Sequence, residues 1–366
     1  MFMKNLDVIL DKAYNRQVIS DDEVKFLLGL NDEKDLAALY LTARDLKQRY
    51  FSNKLFLYGF VYFSTYCRND CAFCFYRESN GSSRRYRKTV SEAVGSAYRL
   101  ADSGVHLIDL TMGEDPFYLQ SESGLKKLES LVTQVKSTTK LPVMISPGLL
   151  SVEYLSALSK AGADWYACYQ ETHNRELFSR LRLGQDYDRR FLAKQQARET
   201  GLLIEEGILT GVGESRSDIV TSMKVMKETG AQQLRVMSFN PQAGTPMSDH
   251  PTPNRFQEFK IIALMRLLFP QKLIPASLDI DGVKNLKYRL DAGANVITSL
   301  IPPLSGFSGV SQVELDINEG YRSVDGVKHV IDESELEIAP ASEYLRWITD
   351  AKKKAIQKST ICEAVI

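Results

Sequence analysis

The chain has 366 residues, of which 44% are hydrophobic and 25% are charged, a composition typical of a globular protein. Basic and acidic residues number 46 each, and this balance argues against a nucleic-acid partner, which requires a positive surface field. No stretch approaches the roughly 20 apolar residues of a membrane span, and residues 1–16 lack the apolar centre of a signal peptide. We therefore expect a cytoplasmic protein that acts without a membrane or a nucleic acid.

The first fifty residues predict helices. Ser20 and Glu23 form a capping box ahead of the apolar run at residues 24–30. Residues 33–49 carry apolar side chains at helical spacing. Because no catalytic pattern occurs here, we expect residues 1–50 to form a helical extension that covers the next part of the chain.

From residue 55 onward, short apolar runs rich in β-branched and aromatic residues alternate with charged helical stretches. The eight predicted strands cover residues 55–64, 107–111, 143–146, 165–170, 203–209, 233–239, 273–279 and 296–301. This strict alternation favours an α/β fold, a (β/α)₈ barrel of the TIM type with its active site at the C-terminal ends of the strands. We assign residues 51–310 to the barrel and residues 311–366 to a tail with a terminal helix at residues 343–358.

Three of the five cysteines lie directly after the first predicted strand, as Cys67, Cys71 and Cys74. The other two, Cys168 and Cys362, are isolated, and an odd, clustered set is a poor disulfide framework. Three thiolates on one compact loop suit three irons of a cubane cluster and leave the fourth iron open to a small chelating molecule. The alternative is a structural zinc site, but such sites usually have four ligands and no further Cys or His lies nearby in sequence.

The spacing Cys-x₃-Cys-x₂-Cys, with the aromatic Phe73 before the last cysteine, resembles the signature of the radical S-adenosylmethionine (SAM) superfamily. The resemblance implies that Cys67, Cys71 and Cys74 bind a [4Fe–4S] cluster whose open iron chelates the amino and carboxylate groups of SAM. It also implies that one-electron reduction yields a 5′-deoxyadenosyl radical, which takes a hydrogen atom from the substrate. The electron is expected from a low-potential donor such as a flavodoxin or ferredoxin.

Two further segments are similar to motifs of this superfamily. Met112-Gly113-Glu114 resembles a Gly-Gly-Glu motif whose acid meets the methionine amino group, although Met112 replaces the first glycine. Residues 207–214 match a glycine-rich pattern associated with adenine contact, where glycine permits close approach of the backbone. No Gly-Lys-Ser/Thr follows, which excludes a Walker phosphate loop.

Polar side chains at the ends of the third and fourth predicted strands complete the expected cofactor site. Ser146 ends the third strand, and Tyr169 and Glu171 end the fourth on one face. A carboxylate there suits ribose hydroxyls. Arg182 and Arg190 follow, and a guanidinium fork suits the methionine carboxylate, although arginines on helices are usually solvated.

Longer strings narrow the resemblance to the biotin synthase-like branch and, within it, to the methylornithine synthases of pyrrolysine biosynthesis. These strings are YFSTYC at residues 62–67, DLTMGEDP at 109–116, MISPGL at 144–149, YQET at 169–172, GILTGVG at 207–213 and IPASLD at 274–279. The family implies that L-lysine is isomerised to (3R)-3-methyl-D-ornithine. The adenosyl radical takes a hydrogen atom from the lysine side chain, and the carbon skeleton then fragments and recombines in a branched form.

Charged residues inside the predicted strands support a small zwitterionic substrate. Arg235 lies within an apolar strand, where an unpaired charge is costly, and suits an α-carboxylate. Ser277 and Asp279 face the same way and suit the α-amino group, and Asp109 suits the distal ammonium. The alternative for each charge is an internal salt bridge, for example Arg235 with Asp279.

Three alternative functions are weighed against the lysine mutase. A different amino acid could be the substrate of a similar biotin synthase-like enzyme. A maturase or sulfur-inserting relative would need a second cluster, for which Cys168 and Cys362 do not supply the ligands. A non-enzymatic cluster-bearing sensor would need no adenosine pocket, against which the expected cofactor residues argue.

Overall fold

The computed structural model describes residues 5–302 and 322–363. The chain begins with three helices, α1 (Leu6–Tyr14), α2 (Asp21–Leu28) and α3 (Glu33–Phe51). The predicted capping box at the start of α2 is confirmed, because Ser20 and Glu23 each bond to the backbone N–H of the other.

Eight parallel strands follow, and the predicted barrel is confirmed. They are β1 (Lys54–Ser64), β2 (Leu107–Met112), β3 (Val143–Ser146), β4 (Trp165–Ala167), β5 (Leu203–Thr210), β6 (Gln233–Ser238), β7 (Pro275–Ser277) and β8 (Val296–Leu300). Neighbouring strands pair in the order β6-β5-β4-β3-β2-β1-β8-β7. The ring closes through one parallel bridge between Gln233 and Leu273, which lies just before β7.

Helices connect successive strands. They are α4 (Val90–Asp102), α5 (Pro116–Leu119), α6 (Glu122–Thr139), α7 (Val152–Lys160), α8 (Arg175–Leu181), α9 (Tyr187–Glu199), α10 (Arg216–Glu228), α11 (Phe256–Leu268) and α12 (Leu286–Asp291). The N-terminal helices lie on this outer layer, since α2 packs against α10 and α11 and α3 against α11 and α12. No helix in the described ranges is long and apolar enough to cross a membrane.

Alternation along the strands sorts side chains between the helix layer and the barrel interior. In β1, Leu57 and Val61 join the core beneath the helices, whereas Phe60 and Tyr62 join the interior cluster. The same alternation sends Asp109 of β2 into the interior, two positions after Leu107. The interior is therefore apolar at its lower end and carries polar side chains towards the C-terminal ends of the strands.

The C-terminal part packs under the barrel as α13 (Val324–Glu333), β9 (Glu337–Ile338) and α14 (Ala341–Glu363). β9 pairs with the start of β1. Below the strands, the Tyr344 hydroxyl lies 2.6 Å from that of Tyr58, and Trp347 stacks on Trp165 with ring centroids 5.9 Å apart. The predicted terminal helix is confirmed with longer bounds. Residues 303–321 and 364–366, which belong to the predicted tail and barrel end, lie outside the described residues.

Candidate active site

The three clustered cysteines lie on the loop that follows β1. This loop is fixed to its surroundings by backbone bonds from Arg68 to the carbonyl of Glu114 at 3.1 Å and from Ala72 to that of Leu181 at 2.7 Å. The Arg85 guanidinium also donates to the carbonyl of Thr65, at 2.6 Å. Hydrogen bonds with three other segments of the chain therefore hold the loop in place.

All three cysteines line one cavity of about 200 Å³, which we call the cysteine cavity. Its wall also includes every residue predicted to bind the cofactor, namely Glu114, Ser146, Tyr169, Glu171, Arg182 and Arg190. Cys168 lies in the same wall.

Glu114 is buried in this cavity between two arginines. Its Oε1 accepts from Arg190 Nη1 at 3.0 Å and from the backbone N–H of Leu149 at 2.8 Å. Its Oε2 accepts from Arg68 Nε at 3.2 Å. Burial alone would raise the pKa of Glu114, but the guanidinium of Arg190 and these hydrogen bonds lower it overall. A carboxylate and a guanidinium thus face the cavity side by side.

The loop after β3 approaches Glu114 so closely that only glycine fits there. A Cβ on Gly148 would lie 2.2 Å from Glu114 Cγ, and Gly148 has a φ of +78°. Both the space and the backbone conformation therefore require glycine. Gly148, the third residue of the Ser-Pro-Gly segment, thereby allows the close approach that positions the Glu114 carboxylate.

Glu171 and Arg182 form a second acid–base pair in the cavity. Arg182 Nη2 donates to Glu171 Oε1 at 2.7 Å, and Arg182 Nη1 lies 3.6 Å from the sulfur of Cys71. Burial raises the pKa of Glu171 despite the opposing effect of Arg182. Glu171 has a left-handed φ of +67°, a strained conformation for a residue with a side chain, which is typical of functional sites.

A buried network behind Glu171 holds this strained turn. Glu206 accepts from the backbone N–H groups of Gln170 at 2.8 Å and Gly207 at 2.9 Å. Lys194 pairs with Glu206 and donates to the Gln170 side chain at 2.8 Å. Burial would raise the pKa of Glu206, but Lys194 and the neighbouring His173 lower it to about 2. The turn is thus anchored by a charged pair that does not line the cavity.

The glycine-rich run after β5 is folded by its own glutamate. Glu214 accepts from Thr210 Oγ1 at 2.5 Å and from the backbone N–H groups of Gly211 and Val212, both at 2.9 Å. Earlier in the run, a Cβ on Gly207 would lie 2.8 Å from the Tyr169 ring. The run therefore lets an aromatic side chain lie flat against β5 at the edge of the cavity.

A second cavity of about 150 Å³ lies inside the barrel, and we call it the barrel cavity. Its wall includes Asp109, Arg235 and Asp279, three of the four predicted substrate residues. The two cavities share seven wall residues, namely Tyr62, Phe73, Cys74, Thr111, Ser146, Tyr169 and Glu171. They are therefore contiguous, and a molecule in one can meet a molecule in the other.

Two hydrogen bonds and two aromatic rings hold the guanidinium of Arg235 in place. Its Nε donates to Glu205 Oε1 at 2.6 Å and its Nη1 to Thr298 Oγ1 at 3.0 Å. The guanidinium carbon lies 5.8 Å from the centroid of the Phe60 ring and 5.7 Å from that of Tyr169. Its Nη2 is buried and has no hydrogen-bond partner in the described parts of the chain. The suggested salt bridge with Asp279 is wrong, because each of the two charges has a different partner.

Asp109 lies opposite in the barrel cavity. Its Oδ1 accepts from Ser146 Oγ at 2.7 Å, whereas Oδ2 is buried without a hydrogen-bond partner among the described residues. Burial raises the pKa of Asp109 to about 7, and the neighbouring Glu205 adds to the rise. The barrel cavity is therefore lined both by Asp109, whose Oδ2 is an acceptor without a donor, and by Arg235, whose Nη2 is a donor without an acceptor, among the described residues.

Asp279 is the third charged group of the cavity wall. It accepts from Tyr62 Oη at 2.8 Å and from Arg322 Nη2 at 2.8 Å. Ser277 does not line the cavity; its Oγ accepts from the backbone N–H of Asp279 and lies 3.3 Å from Ser299 Oγ. The structure thus brings Ser277 to Asp279 but not to the space a substrate would fill.

A local distortion of β8 turns two successive side chains inwards. Ser299 has a φ of +66°, and the pairing of β1 with β8 shifts register between Leu57 and Gly59. As a result Thr298 reaches Arg235 while Ser299 Oγ reaches Asp279 Oδ2 at 3.3 Å. A regular strand would send one of the two side chains outwards.

Comparison with known proteins agrees with this geometry. Residues 61–226 match the model of the radical SAM superfamily. A 3-methylornithine synthase from Methanosarcina acetivorans is 40% identical over 344 residues, which are 94% of this chain and 97% of that relative. The chain belongs to the 3-methylornithine synthase family. A crystal structure of a methylornithine synthase has a TM-score of 0.88 and 38% identity, and the match covers 93% of this chain and 99% of that one.

This chain is also similar, at lower identity, to the [FeFe] hydrogenase maturase subunit HydE from Thermotoga maritima. It is 28% identical, over 79% of this chain and 82% of its own length. The higher identity and fuller coverage of the methylornithine synthase separate the two branches. The maturase alternative is therefore the weaker one.

As a radical SAM enzyme of the methylornithine synthase family, the chain uses a [4Fe–4S] cluster and SAM. The residues present fit both groups. Three cysteines line one cavity, and soft thiolates suit an iron–sulfur cluster. Buried Arg182 Nε has no partner in the described ranges, so the cavity also holds an unused donor for an anionic group.

Sequence reasoning missed four residues that lie behind the cavity walls and support the residues that line them. They are Glu205, Glu206, Thr298 and Arg322. Glu205 and Glu206 gave a signal, since two successive acids in an apolar strand must each find a partner. Arg322 gave none, because it follows the barrel in a polar part of the sequence.

Proposed function

We propose that this chain isomerises L-lysine to (3R)-3-methyl-D-ornithine, the first step of pyrrolysine biosynthesis, and does so in the cytoplasm. The family membership supports the reaction class. The observation that carries the substrate is the barrel cavity, which joins the cysteine cavity and presents the orphaned Arg235 Nη2 and Asp109 Oδ2.

The charges around the barrel cavity match lysine. Among the described residues around this cavity, four carboxylates (Asp109, Glu171, Glu205 and Asp279) stand against three guanidinium groups (Arg182, Arg235 and Arg322). One negative charge therefore remains, whereas lysine with its two ammonium groups and one carboxylate carries one positive charge. A substrate of opposite net charge offsets the cost of burying the unpaired carboxylate.

Each end of lysine has a group to receive it. Arg235 Nη2 donates to the α-carboxylate, and Asp279 accepts from the α-ammonium while Ser277 holds the Asp279 backbone. Asp109 Oδ2 accepts from the distal ammonium, which favours the ionised form of Asp109. This arrangement stretches the side chain across the cavity, with its hydrogen atoms towards the wall shared with the cysteine cavity.

We further propose that Cys67, Cys71 and Cys74 hold the cluster. When bound, the cluster and SAM supply a 5′-deoxyadenosyl radical as the hydrogen abstractor. Glu114 accepts from the amino group of the methionine end and Arg190 donates to its carboxylate, since the two side chains lie 3.0 Å apart with opposite charge. This spacing suits the zwitterionic end of an amino acid.

Glu171 accepts from the ribose hydroxyls, and Arg182 keeps its carboxylate in place. Ser146 and Tyr169 belong to the wall between the two cavities, and they orient the adenosine part towards the substrate. Apolar side chains close the remaining wall and exclude water from the reacting carbon atoms; they are Phe60, Leu209, Met237, Phe239 and Ile280. Confinement keeps the substrate fragments together until they recombine. A low-potential flavodoxin or ferredoxin delivers the electron.

The test is turnover of lysine by the anaerobically reconstituted protein with a chemical reductant and SAM. We expect a branched amino acid of the same mass as lysine, separated by chromatography and absent when SAM is omitted. Unchanged lysine, together with 5′-deoxyadenosine formed in the presence of another amino acid, would contradict the proposed substrate.

A further inference from the structure

Arg322 reaches the barrel cavity from outside the barrel strands. It lies on the stretch before α13 and is fully buried. Its own carbonyl accepts from the backbone N–H of Ile301 at 2.8 Å, which fixes the residue against the end of β8. Its guanidinium therefore comes from a segment that is not part of the repeated strand–helix units of the barrel.

The guanidinium binds two acceptors at the edge of the cavity. Nε and Nη2 donate to the carbonyl of Ser299 at 3.1 and 2.9 Å, and Nη2 donates to Asp279 Oδ1 at 2.8 Å. Nη2 also lies 3.4 Å from Tyr62 Oη. Arg322 itself does not line the cavity, whereas Asp279 and Tyr62 do. Any effect of Arg322 on a bound substrate must therefore pass through these two side chains.

We propose that Arg322 is a positioning residue that pairs with the Asp279 carboxylate and orients it for the α-ammonium group of the substrate. The proposal rests on the proposed lysine mutase function. It also assigns the charge selectivity of the cavity to Asp109. The charges of Arg322 and Asp279 cancel each other, and so do the charges of Glu205 and Arg235. Asp109 is then the side chain that distinguishes a diamino acid from an amino acid with a neutral side chain.

Removing Arg322 would leave Asp279 buried without its cationic partner. A carboxylate in that situation takes up a proton, since desolvation disfavours its charged form. A protonated Asp279 no longer attracts an ammonium group. It also loses the orienting bond from Arg322, which is itself fixed by two bonds to the carbonyl of Ser299. The loss should fall on lysine binding and not on SAM, whose cavity Arg322 does not reach.

The experiment compares wild-type protein with Arg322→Met, Arg322→Lys, Asp279→Asn and the double variant Asp279→Asn/Arg322→Met. The kinetic constants kcat and KM for lysine are measured between about pH 6 and pH 9, because desolvation disfavours the charged form of a buried carboxylate that has lost a cationic partner. For Arg322→Met we expect KM to rise by at least about 10-fold near neutral pH and to fall towards the wild-type value as the pH rises. For Arg322→Lys we expect a KM close to that of the wild type.

Other groups near Asp279 do not produce this pH dependence. Tyr62 and Tyr76 face it, and burial raises the pKa of both, that of Tyr76 to about 12. Asp109 titrates near pH 7, but it does so in every protein of the set. The ratio of variant to wild-type KM therefore isolates Asp279.

The double variant tests whether Arg322 acts only through Asp279. We expect its KM to equal that of Asp279→Asn within about 2-fold, because a second substitution adds nothing once the shared interaction is gone. It also replaces a buried ion pair by neutral groups, which folded proteins tolerate better than an unpaired charge, so the comparison survives if Arg322→Met does not fold. Cluster content and unfolding temperature report folding in every arm.

An Arg322→Met protein with wild-type KM and no altered pH dependence would overturn the inference, and so would additive losses in the double variant. Both outcomes leave wild-type turnover of lysine intact. If the wild-type protein itself leaves lysine unchanged, the proposed function fails instead, and the role of Asp279 falls with it.

Discussion

The cysteine cavity and the barrel cavity use charge in opposite ways. In the cysteine cavity, two ion pairs have both members in the wall, namely Glu114 with Arg190 and Glu171 with Arg182. In the barrel cavity one member lines the wall and the other, Glu205 or Arg322, lies behind it. The first arrangement offers both signs at one point, which suits a zwitterionic methionine end. The second offers single charges at separate points, which suits an extended diamino acid.

The cavities also differ in where their residues come from. The cysteine cavity takes most of its polar groups from loops beyond the strand ends, whereas Asp109 and Arg235 belong to strands β2 and β6. Strand positions are held by pairing on both sides, whereas Asp279, which follows β7, is held by side-chain bonds from Tyr62 and Arg322.

The largest expected effect separates the proposed cluster ligands from the rest of their cavity. Cys71→Ala should abolish turnover and leave the protein without a complete cluster, since it removes one of the three thiolates that we propose as ligands. Cys168→Ala, in the wall of the same cavity, is the matched control and should retain the cluster. Iron content and visible absorbance of the reconstituted proteins check this. Normal iron and turnover in Cys71→Ala would show that the cluster is held elsewhere.

The next effect tests the charge that lies behind the barrel wall. Glu205→Gln leaves Arg235 without its buried partner, and breaking such a pair costs about 3–5 kcal/mol. That cost falls on folding stability, and only part of it is expected to reach the transition state. We expect kcat/KM for lysine to fall by about 100-fold, which is about 2.8 kcal/mol of lost transition-state stabilisation. Thr298→Val removes only the neutral contact to Arg235 Nη1 and serves as the control.

This result would separate the two cavities only if SAM binding stayed intact. The Kd of SAM, measured by calorimetry on the anaerobic protein, should be the same in Glu205→Gln and wild type. A large loss of SAM affinity would mean that the two cavities do not respond independently.

A smaller effect depends on pH and concerns Asp109. Its pKa is raised to about 7, so the carboxylate is protonated below that pH and ionised above it. The KM for lysine should therefore fall as the pH rises through about 7, because only the ionised form attracts the distal ammonium. Asp109→Asn should have a higher KM that does not change over this range, and the gap to the wild type should widen to about 10-fold above pH 7.

A control for this prediction is the Ser146→Ala variant, which removes the hydrogen bond to Asp109 Oδ1. Loss of a donor to the ionised form should move the midpoint of the pH profile upwards. A profile that is identical in all three proteins would show that Asp109 does not meet the substrate ammonium.

The smallest effect concerns Ser277, which lies behind Asp279 and not in the cavity wall. Ser277→Ala removes one neutral hydrogen bond, typically worth about 1 kcal/mol. We expect KM for lysine to rise by about 2- to 5-fold with kcat nearly unchanged. A loss as large as that of Asp279→Asn would instead place the Ser277 hydroxyl in direct contact with the substrate.

The sequence predicted the architecture well because its signals are local. Alternation of apolar strands with helices located all eight strands, and the capping box of Ser20 and Glu23 set the start of α2. Strand ends were less accurate. β4 ends at Ala167 and not at residue 170, because the backbone bends towards the left-handed turn at Glu171. Such a bend depends on Glu206 and Lys194, which come from other elements.

The cysteine cavity was easier to predict than the barrel cavity for a related reason. Its residues fall in short motifs beside the strand ends, so spacing alone groups Cys67, Cys71 and Cys74. The partners of Arg235 and Asp279 depend on which strands meet across the barrel. The sequence suggested that these two charges pair with each other. In the structure Glu205 pairs in register with Gln233, two positions before Arg235, and its side chain reaches Arg235 at 2.6 Å. The chain beyond the barrel brings Arg322 to Asp279.

The most direct test of the account is to follow deuterium from lysine into the adenosine product. L-Lysine deuterated along its side chain is incubated with the reconstituted protein, reductant and SAM, and 5′-deoxyadenosine and the amino acids are analysed by mass spectrometry. If lysine lies in the barrel cavity against the shared wall, 5′-deoxyadenosine should gain deuterium while a branched isomer of lysine accumulates. Deuterium-free 5′-deoxyadenosine with fully labelled, unchanged lysine would contradict the account.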